Sequence, residues 1–166
     1  KLTVTPEVNE FAPPFGDETL GPVVFTKPIT PKVFQNPNWY HRRGQITDWE
    51  RPDHVLLGDF KGGLRDLATE RRDVRDAIIE SIAAWVQEIP FDGIRYDAVK
   101  HVDPPLWTDL VARVRELSSR REDSFLQVAE VFDGSLENIS AYVGENAFDS
   151  VLDFAGKYTV FRDVFL

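Results

Sequence analysis

Two carboxylates and one arginine stand in short segments of apolar, strand-like sequence. Arg95 and Asp97 lie in residues 93–99, and Glu130 lies in residues 124–131. Side chains alternate between the two faces of a strand, so Arg95 and Asp97 share a face. Two facing carboxylates can divide acid–base work, one ionised beside a cation to attack and the other protonated to donate. Cleavage of a glycosidic bond uses such a pair.

A third segment, residues 148–154, adds two more acids. Asp149 and Asp153 would share a face of that strand. We therefore expect three consecutive strands to aim carboxylates the same way. Asp97 and Glu130 would lie near the carboxyl ends, where parallel sheets bind ligands. The alternative is structural, because an acid at a strand end often caps the next helix or pairs with a nearby arginine.

Helical segments separate these strands. An apolar repeat of three- and four-residue steps predicts a helix from about residue 70 to Pro90. Its members are Val74, Ile78, Ile82, Trp85, Val86 and Ile89. A second helix is predicted after Pro104 and Pro105, a short one after Ser135, and another near Tyr158.

Strict alternation of helix and strand implies parallel strands joined by right-handed crossovers. That unit builds either an open doubly wound sheet or a closed barrel. An open nucleotide-binding sheet ranks last, because no Gly-rich phosphate loop joins a strand to a helix. We predict an α/β fold, a section of a (β/α)8 TIM barrel, since a whole barrel needs roughly 250 residues. The 166 residues contain no Met, which indicates a piece of a longer protein.

The composition of the chain restricts the classes of molecule that it could bind. A hydrophobic fraction of 42% is enough for a core, and a net charge of -9 disfavours nucleic acid and anionic membranes. Without cysteine there is no disulfide framework, and the compartment stays open. The first 52 residues are rich in proline and aromatics and lack a sustained apolar period, which predicts an irregular segment that packs on other structure.

Two motifs carry a resemblance. Residues 93–101 (GIRYDAVKH) resemble the fourth-strand signature of the alpha-amylase family of glycoside hydrolases, and residues 129–134 (AEVFDG) are similar to its fifth-strand signature. Residues 38–49 and 63–67 resemble the loop domain inserted after the third strand, and residues 148–154 the sixth strand. The resemblance divides the chain into an inserted loop-rich segment, 1–68, and a partial catalytic barrel, 69–166. Residues 1–34 match no known motif.

The resemblance implies a retaining hydrolase or transglycosylase that acts on alpha-glucan or maltooligosaccharide substrates. Asp97 would be the nucleophile and Glu130 the general acid/base, with Arg95 holding Asp97 ionised. Lys100, His101 and Phe132 would contact the sugar on the leaving-group side. The family's third-strand Asp and His and its seventh-strand His-Asp pair lie outside this chain, so the remainder of the barrel is an expected partner. We expect the isolated segment to be inactive.

The resemblance also implies calcium, held by Asp66 and by the main-chain carbonyl of His101. A surface salt bridge of Asp66 with a neighbouring arginine is the alternative. For the whole protein, the alternative to an enzyme is a carbohydrate-binding or partner-binding protein that keeps the barrel without catalysis.

Overall fold

A computed structural model describes residues 29–62, 64–119 and 124–165. Residues 1–28, and Gly63 of the second loop motif, lie outside the described residues, and so do the predictions made for them. The chain divides into two compact units, Lys1–Val74 and Arg75–Leu166. In the described part, no helix is long and apolar enough to cross a membrane.

The described residues of the first unit form turns and short helices around aromatic side chains. Two 3-10 turns, Lys32–Gln35 and Pro37–Trp39, precede helix α1, Pro52–Leu57. Phe34, Trp39 and Tyr40 are buried, and the Tyr40 hydroxyl donates to the carbonyl of Phe34 at 2.7 Å. Burial raises the pKa of Tyr40 to about 12, so this hydroxyl keeps its proton and remains a donor. The irregular, aromatic character predicted for this stretch is found in its described residues.

Alternating helices and strands form the second unit. Helix α2 spans Arg72–Glu88, strand β1 Gly93–Tyr96, α3 Pro104–Ser118, β2 Leu126–Ala129, α4 Leu136–Ser140 and β3 Ser150–Val151. A last helical stretch consists of α5 Phe154–Gly156, a π-helical turn Lys157–Phe161 and α6 Arg162–Phe165. The predicted element order is confirmed.

The buried stripe of α2 differs from the predicted one. Ile78, Ala83 and Val86 are buried, whereas Trp85 is 60% exposed and Ile89 is 40% exposed. One residue turns an α-helix by about 100°, so a helix that buries Val86 carries Trp85 away from the core.

The three strands are parallel and pair in the order β1-β2-β3. Arg95 pairs with Val128, Tyr96 with Ala129, and Val128 with Ser150. Gly93 is required where β1 meets β2, because a Cβ atom there would collide with the carbonyl oxygen of Leu126. This sheet is three strands of the predicted barrel section.

One face of the sheet packs against α3. Tyr96, Trp107 and Phe148 form an aromatic cluster with ring centroids 5.2 to 5.7 Å apart. Gln127 is buried there, accepting from the Tyr96 hydroxyl at 2.9 Å and donating to the carbonyl of Val111 at 3.2 Å. The opposite face carries Arg95, Leu126 and Val128 in the register, and Leu126 is 51% exposed.

The prediction that Asp149 shares a face with Asp97 and Glu130 is wrong. Ser150 pairs with Val128, so the preceding residue, Asp149, falls on the helix-packed face with Gln127. Its carboxylate accepts from the backbone N–H of Gln127 and from Arg115 of α3, each at 2.8 Å. Asp149 therefore anchors the start of β3. This is the alternative in which an acid at a strand end pairs with a nearby arginine.

Candidate active site

The site forms where β1 and β2 end. Beyond the strands, the N–H of Glu130 donates to the carbonyl of Tyr96 at 2.8 Å, and the N–H of Val99 donates to the carbonyl of Glu130 at 3.0 Å. Between them Ala98 adopts a left-handed conformation, with φ of 52°, and the turn Val99–His101 follows. This backbone holds Asp97 and Glu130 at the carboxyl ends of neighbouring parallel strands.

Arg95 bridges the two acids. Its Nη2 atom lies 2.9 Å from Oδ1 of Asp97 and 2.7 Å from Oε1 of Glu130. The second carboxylate oxygen of Glu130 is 3.4 Å from the backbone N–H of Ala98, which donates to it. A cation shared between two carboxylates offsets their mutual repulsion and fixes their orientation.

The three charged side chains differ in exposure. The side chain of Asp97 is 66% exposed and that of Arg95 is 53% exposed, whereas Glu130 is 22% exposed. Asp97 is thus open to an approaching molecule, and Glu130 is the more enclosed of the two acids.

The loop after β2 contains Phe132, which the resemblance places on the leaving-group side of the sugar. Phe132 is 53% exposed. Asp133 accepts from the N–H of Ser135 at 2.9 Å and from Nδ2 of Asn138 at 3.2 Å, and its Oδ2 lies 3.9 Å from Nζ of Lys100. The loop is therefore tied both to α4 and to the turn after β1.

The other predicted site residues lie in different settings. His101 is 6% exposed, so its imidazole is enclosed in this structure, and its contact with substrate stays a prediction. Asp153 accepts from the N–H of Gly156 at 2.6 Å and caps α5. Asp153 therefore has the structural role of an N-cap.

Asp66 belongs to a buried polar cluster of the first unit. Its Oδ2 lies 2.7 Å from Nδ1 of His41, whose Nε2 lies 2.8 Å from Oε2 of Glu70. Burial lowers the pKa of His41, but hydrogen bonds to Asp66 and Glu70 and their charges outweigh it and raise the pKa above 6.5. The predicted alternative of a surface salt bridge is wrong, because Asp66 is 3% exposed. Arg65 pairs instead with buried Asp59 at 2.6 Å.

The donor set for calcium is small. Among the described residues, no group of three or more His, Cys, Asp or Glu side chains is arranged to hold a metal ion. One oxygen of Asp66 is already engaged by the imidazole of His41. A hard cation takes six to eight oxygen ligands, more than Asp66 supplies by itself.

Sequence reasoning missed three residues that contribute to the site: Ala98, Phe154 and Tyr158. The backbone N–H of Ala98 donates to Glu130 from a left-handed residue, and an alanine gives no signal of that conformation. Phe154 and Tyr158 pack on Phe132, with centroids 4.8 and 6.3 Å away. Their spacing of four residues along the last helical stretch was the available signal.

Fold and site together define a section of a (β/α)8 barrel with two carboxylates at the carboxyl ends of adjacent strands. The sequence-family model described as alpha amylase, catalytic domain, matches residues 24–163. The chain belongs to the alpha-amylase family.

Relatives agree with this assignment. An alpha-amylase of Streptomyces lividans is 34% identical over 136 residues, covering 78% of this chain and 14% of that protein. A cyclomaltodextrin glucanotransferase of Klebsiella oxytoca is 28% identical over 166 residues, covering 93% of this chain and 24% of that protein. The crystal structure of an alpha-amylase from Geobacillus thermoleovorans, complexed with acarbose, superposes with a TM-score of 0.62 at 29% identity, covering 71% of this chain and 25% of that one. The chain spans a quarter or less of the length of each.

Proposed function

We propose that the protein carrying this chain is a retaining glycoside hydrolase or transglycosylase that acts on alpha-glucosidic bonds of starch-like or maltooligosaccharide substrates. The observation that carries the proposal is the bridge from Arg95 to both Asp97 and Glu130. The names of the relatives, alpha-amylase and cyclomaltodextrin glucanotransferase, support the substrate class.

The contact that the two carboxylates share is compatible with the short carboxyl spacing of retaining enzymes. Both acids contact one nitrogen, so Oδ1 of Asp97 and Oε1 of Glu130 lie no farther apart than the sum of the two contact distances, about 5.6 Å. Retaining enzymes hold their carboxyl groups about 5 to 5.5 Å apart, whereas inverting enzymes leave about 6.5 to 9.5 Å for a water molecule.

The reaction then has two steps. A carboxylate oxygen of Asp97 forms a bond to the anomeric carbon while the glycosidic C–O bond breaks, and Glu130 gives its proton to the leaving oxygen. In the second step Glu130 takes a proton from water or a sugar hydroxyl. That oxygen attacks the anomeric carbon and releases Asp97. Arg95 orients Asp97, and Lys100, His101 and Phe132 contact the sugar on the leaving-group side.

A glycosyl fluoride tests the two roles separately, because fluoride leaves without a proton donor. In the protein that carries this chain, Glu130→Gln should release a burst of one fluoride per molecule from maltotriosyl fluoride and retain the sugar on a peptide containing Asp97. Asp97→Asn should give neither the burst nor the labelled peptide. Glu137→Gln, on exposed α4, is the matched control and should turn over normally.

The outcome separates the two candidate functions. A wild-type protein that binds maltooligosaccharides without releasing fluoride or sugar would favour the non-catalytic binding protein. Labelling of a residue other than Asp97 would refute the assignment of the nucleophile.

Calcium remains a proposal that the family resemblance alone supports, with Asp66 as one of its ligands. We expect a chelator to lower the melting temperature of the whole protein and Asp66→Asn to abolish that response. An unchanged melting temperature after chelation would remove calcium from the proposal.

A further inference from the structure

An aromatic cluster lies directly beyond Glu130. The ring of Phe132 meets that of Phe154 at 4.8 Å with an interplanar angle of 68°, and that of Tyr158 at 6.3 Å with an angle of 88°. Both contacts are edge-to-face. Phe132 nevertheless remains 53% exposed, so two rings support it while part of its surface stays open.

The supporting rings come from one stretch of helix. Phe154 begins α5, and Tyr158 lies four residues later in the π-helical turn Lys157–Phe161. The N–H of Arg162 donates to the carbonyl of Lys157, which closes the π turn, and the carboxylate of Asp153 caps the start of α5. These hydrogen bonds hold the backbone that carries both rings, independently of Phe132.

The loop of Phe132 also comes close to Tyr158. A Cβ atom at Gly134 would lie 3.4 Å from Cδ2 of Tyr158. Asp133, between Phe132 and Gly134, is held by Ser135 and Asn138. The loop thus has one anchor in α4 and a second against the ring of Tyr158.

We infer that Phe154 and Tyr158 are positioning residues that hold the ring of Phe132 as a stacking platform for the sugar on the leaving-group side of the scissile bond. The inference rests on the proposed function. A sugar presents C–H groups that pack on an aromatic face, and a ring already fixed by two neighbours loses little freedom when the sugar binds. Without these two neighbours, the ring of Phe132 would become ordered only when the sugar binds, and the loss of side-chain entropy would weaken binding.

Two donors separate this role from a general structural one. Maltotriosyl fluoride places no sugar on the leaving-group side, whereas maltohexaose does. In the protein that carries this chain, Phe154→Leu and Tyr158→Leu should each lower kcat/KM on maltohexaose by about threefold to tenfold, the range of an aromatic pair. Turnover of low concentrations of maltotriosyl fluoride should stay unchanged.

Further variants test the route of the effect. Tyr158→Phe keeps the ring and should restore the wild-type ratio of the two activities. Phe132→Ala should show the same loss on maltohexaose, and adding Tyr158→Leu to it should cause no further loss. Trp85→Leu removes an exposed aromatic ring from α2 and is the matched control, with both activities unchanged.

Each remaining outcome overturns the inference. An active protein whose variants lose both activities equally, or lose neither, overturns the positioning role and leaves the proposed function intact. Additive losses in the double variant would mean that Tyr158 does not act through Phe132. A wild-type protein that turns over neither donor overturns the proposed function and the inference together.

Discussion

At the residue scale, the shared guanidinium is the feature that turns two acids into a site. Asp97 and Glu130 come from different strands, and Arg95 contacts both through one nitrogen atom. The type and spacing of the residues predicted that Arg95 would meet Asp97. The contact between Arg95 and Glu130 depends on the rotamer of a long side chain, which the sequence does not encode locally.

The first prediction concerns Arg95. Arg95→Gln removes the positive charge between the carboxylates and should lower kcat on maltotriosyl fluoride by about two to three orders of magnitude, the cost of losing one preorganised electrostatic group. Arg95→Lys keeps the charge, but a single ammonium lacks the planar fork, so the loss should be intermediate. Arg162→Gln breaks an exposed pair with Asp163 and serves as the control. Equal turnover by Arg95→Gln and Arg162→Gln would remove Arg95 from the site.

A second prediction concerns alkaline pH. Burial raises the pKa of Tyr40 from 10.0 to about 12, so above pH 10 the unfolded chain loses this proton before the folded chain does. The contribution of Tyr40 to the free energy of unfolding is complete below pH 10 and is lost as pH rises through about 12. Tyr40→Phe should lower stability at pH 8 and show a shallower alkaline decline. Urea unfolding across this range measures both slopes, and parallel declines would contradict the prediction.

At the element scale, the order of helices and strands follows from apolar period and proline position, and this much was predictable. The register of β3 was not. The sequence of residues 148–154 alone predicts that Asp149 lies on the same face as Asp97 and Glu130. The pairing of Ser150 with Val128 shows that Asp149 lies on the helix-packed face instead. Because side chains alternate with a period of two, a strand as short as Ser150–Val151 leaves the choice of face to its neighbours and to Arg115.

The third prediction tests the contact between β1 and β2. Gly93→Ala should destabilise the protein by about 1 to 3 kcal/mol, as overpacking does, because the new Cβ meets the backbone carbonyl of Leu126. That carbonyl cannot retreat freely, since the N–H of Leu126 donates to Asp92 at 3.0 Å. Gly134→Ala is the control, because its Cβ would lie 3.4 Å from the ring of Tyr158, an ordinary van der Waals contact. Similar unfolding midpoints for the two variants would argue against a steric requirement for glycine at position 93.

At the scale of the whole molecule, the described strands form a sheet with two free edges. β1 and β3 each pair with one described strand, and on the face that bears Arg95 the side chain of Leu126 is 51% exposed. The last helical stretch adds the exposed apolar side chains Val160, Phe161 and Val164. Because unpaired strand edges and contiguous apolar surface promote association, the remainder of the barrel is the expected cover.

The last prediction therefore concerns the 166-residue chain prepared by itself. It should release no reducing sugar from starch-like substrates, and light scattering should show a mass that rises with concentration. Leu126→Lys combined with Phe161→Lys introduces charge on two exposed apolar positions and should shift the distribution towards monomer. Glu137→Lys, on the exposed side of α4, changes the total charge by as much as the double variant does and should leave association unaltered. A monomeric chain with full activity would mean that three strands complete the site, against the requirement that a retaining barrel enzyme draws its catalytic groups from the ends of several strands.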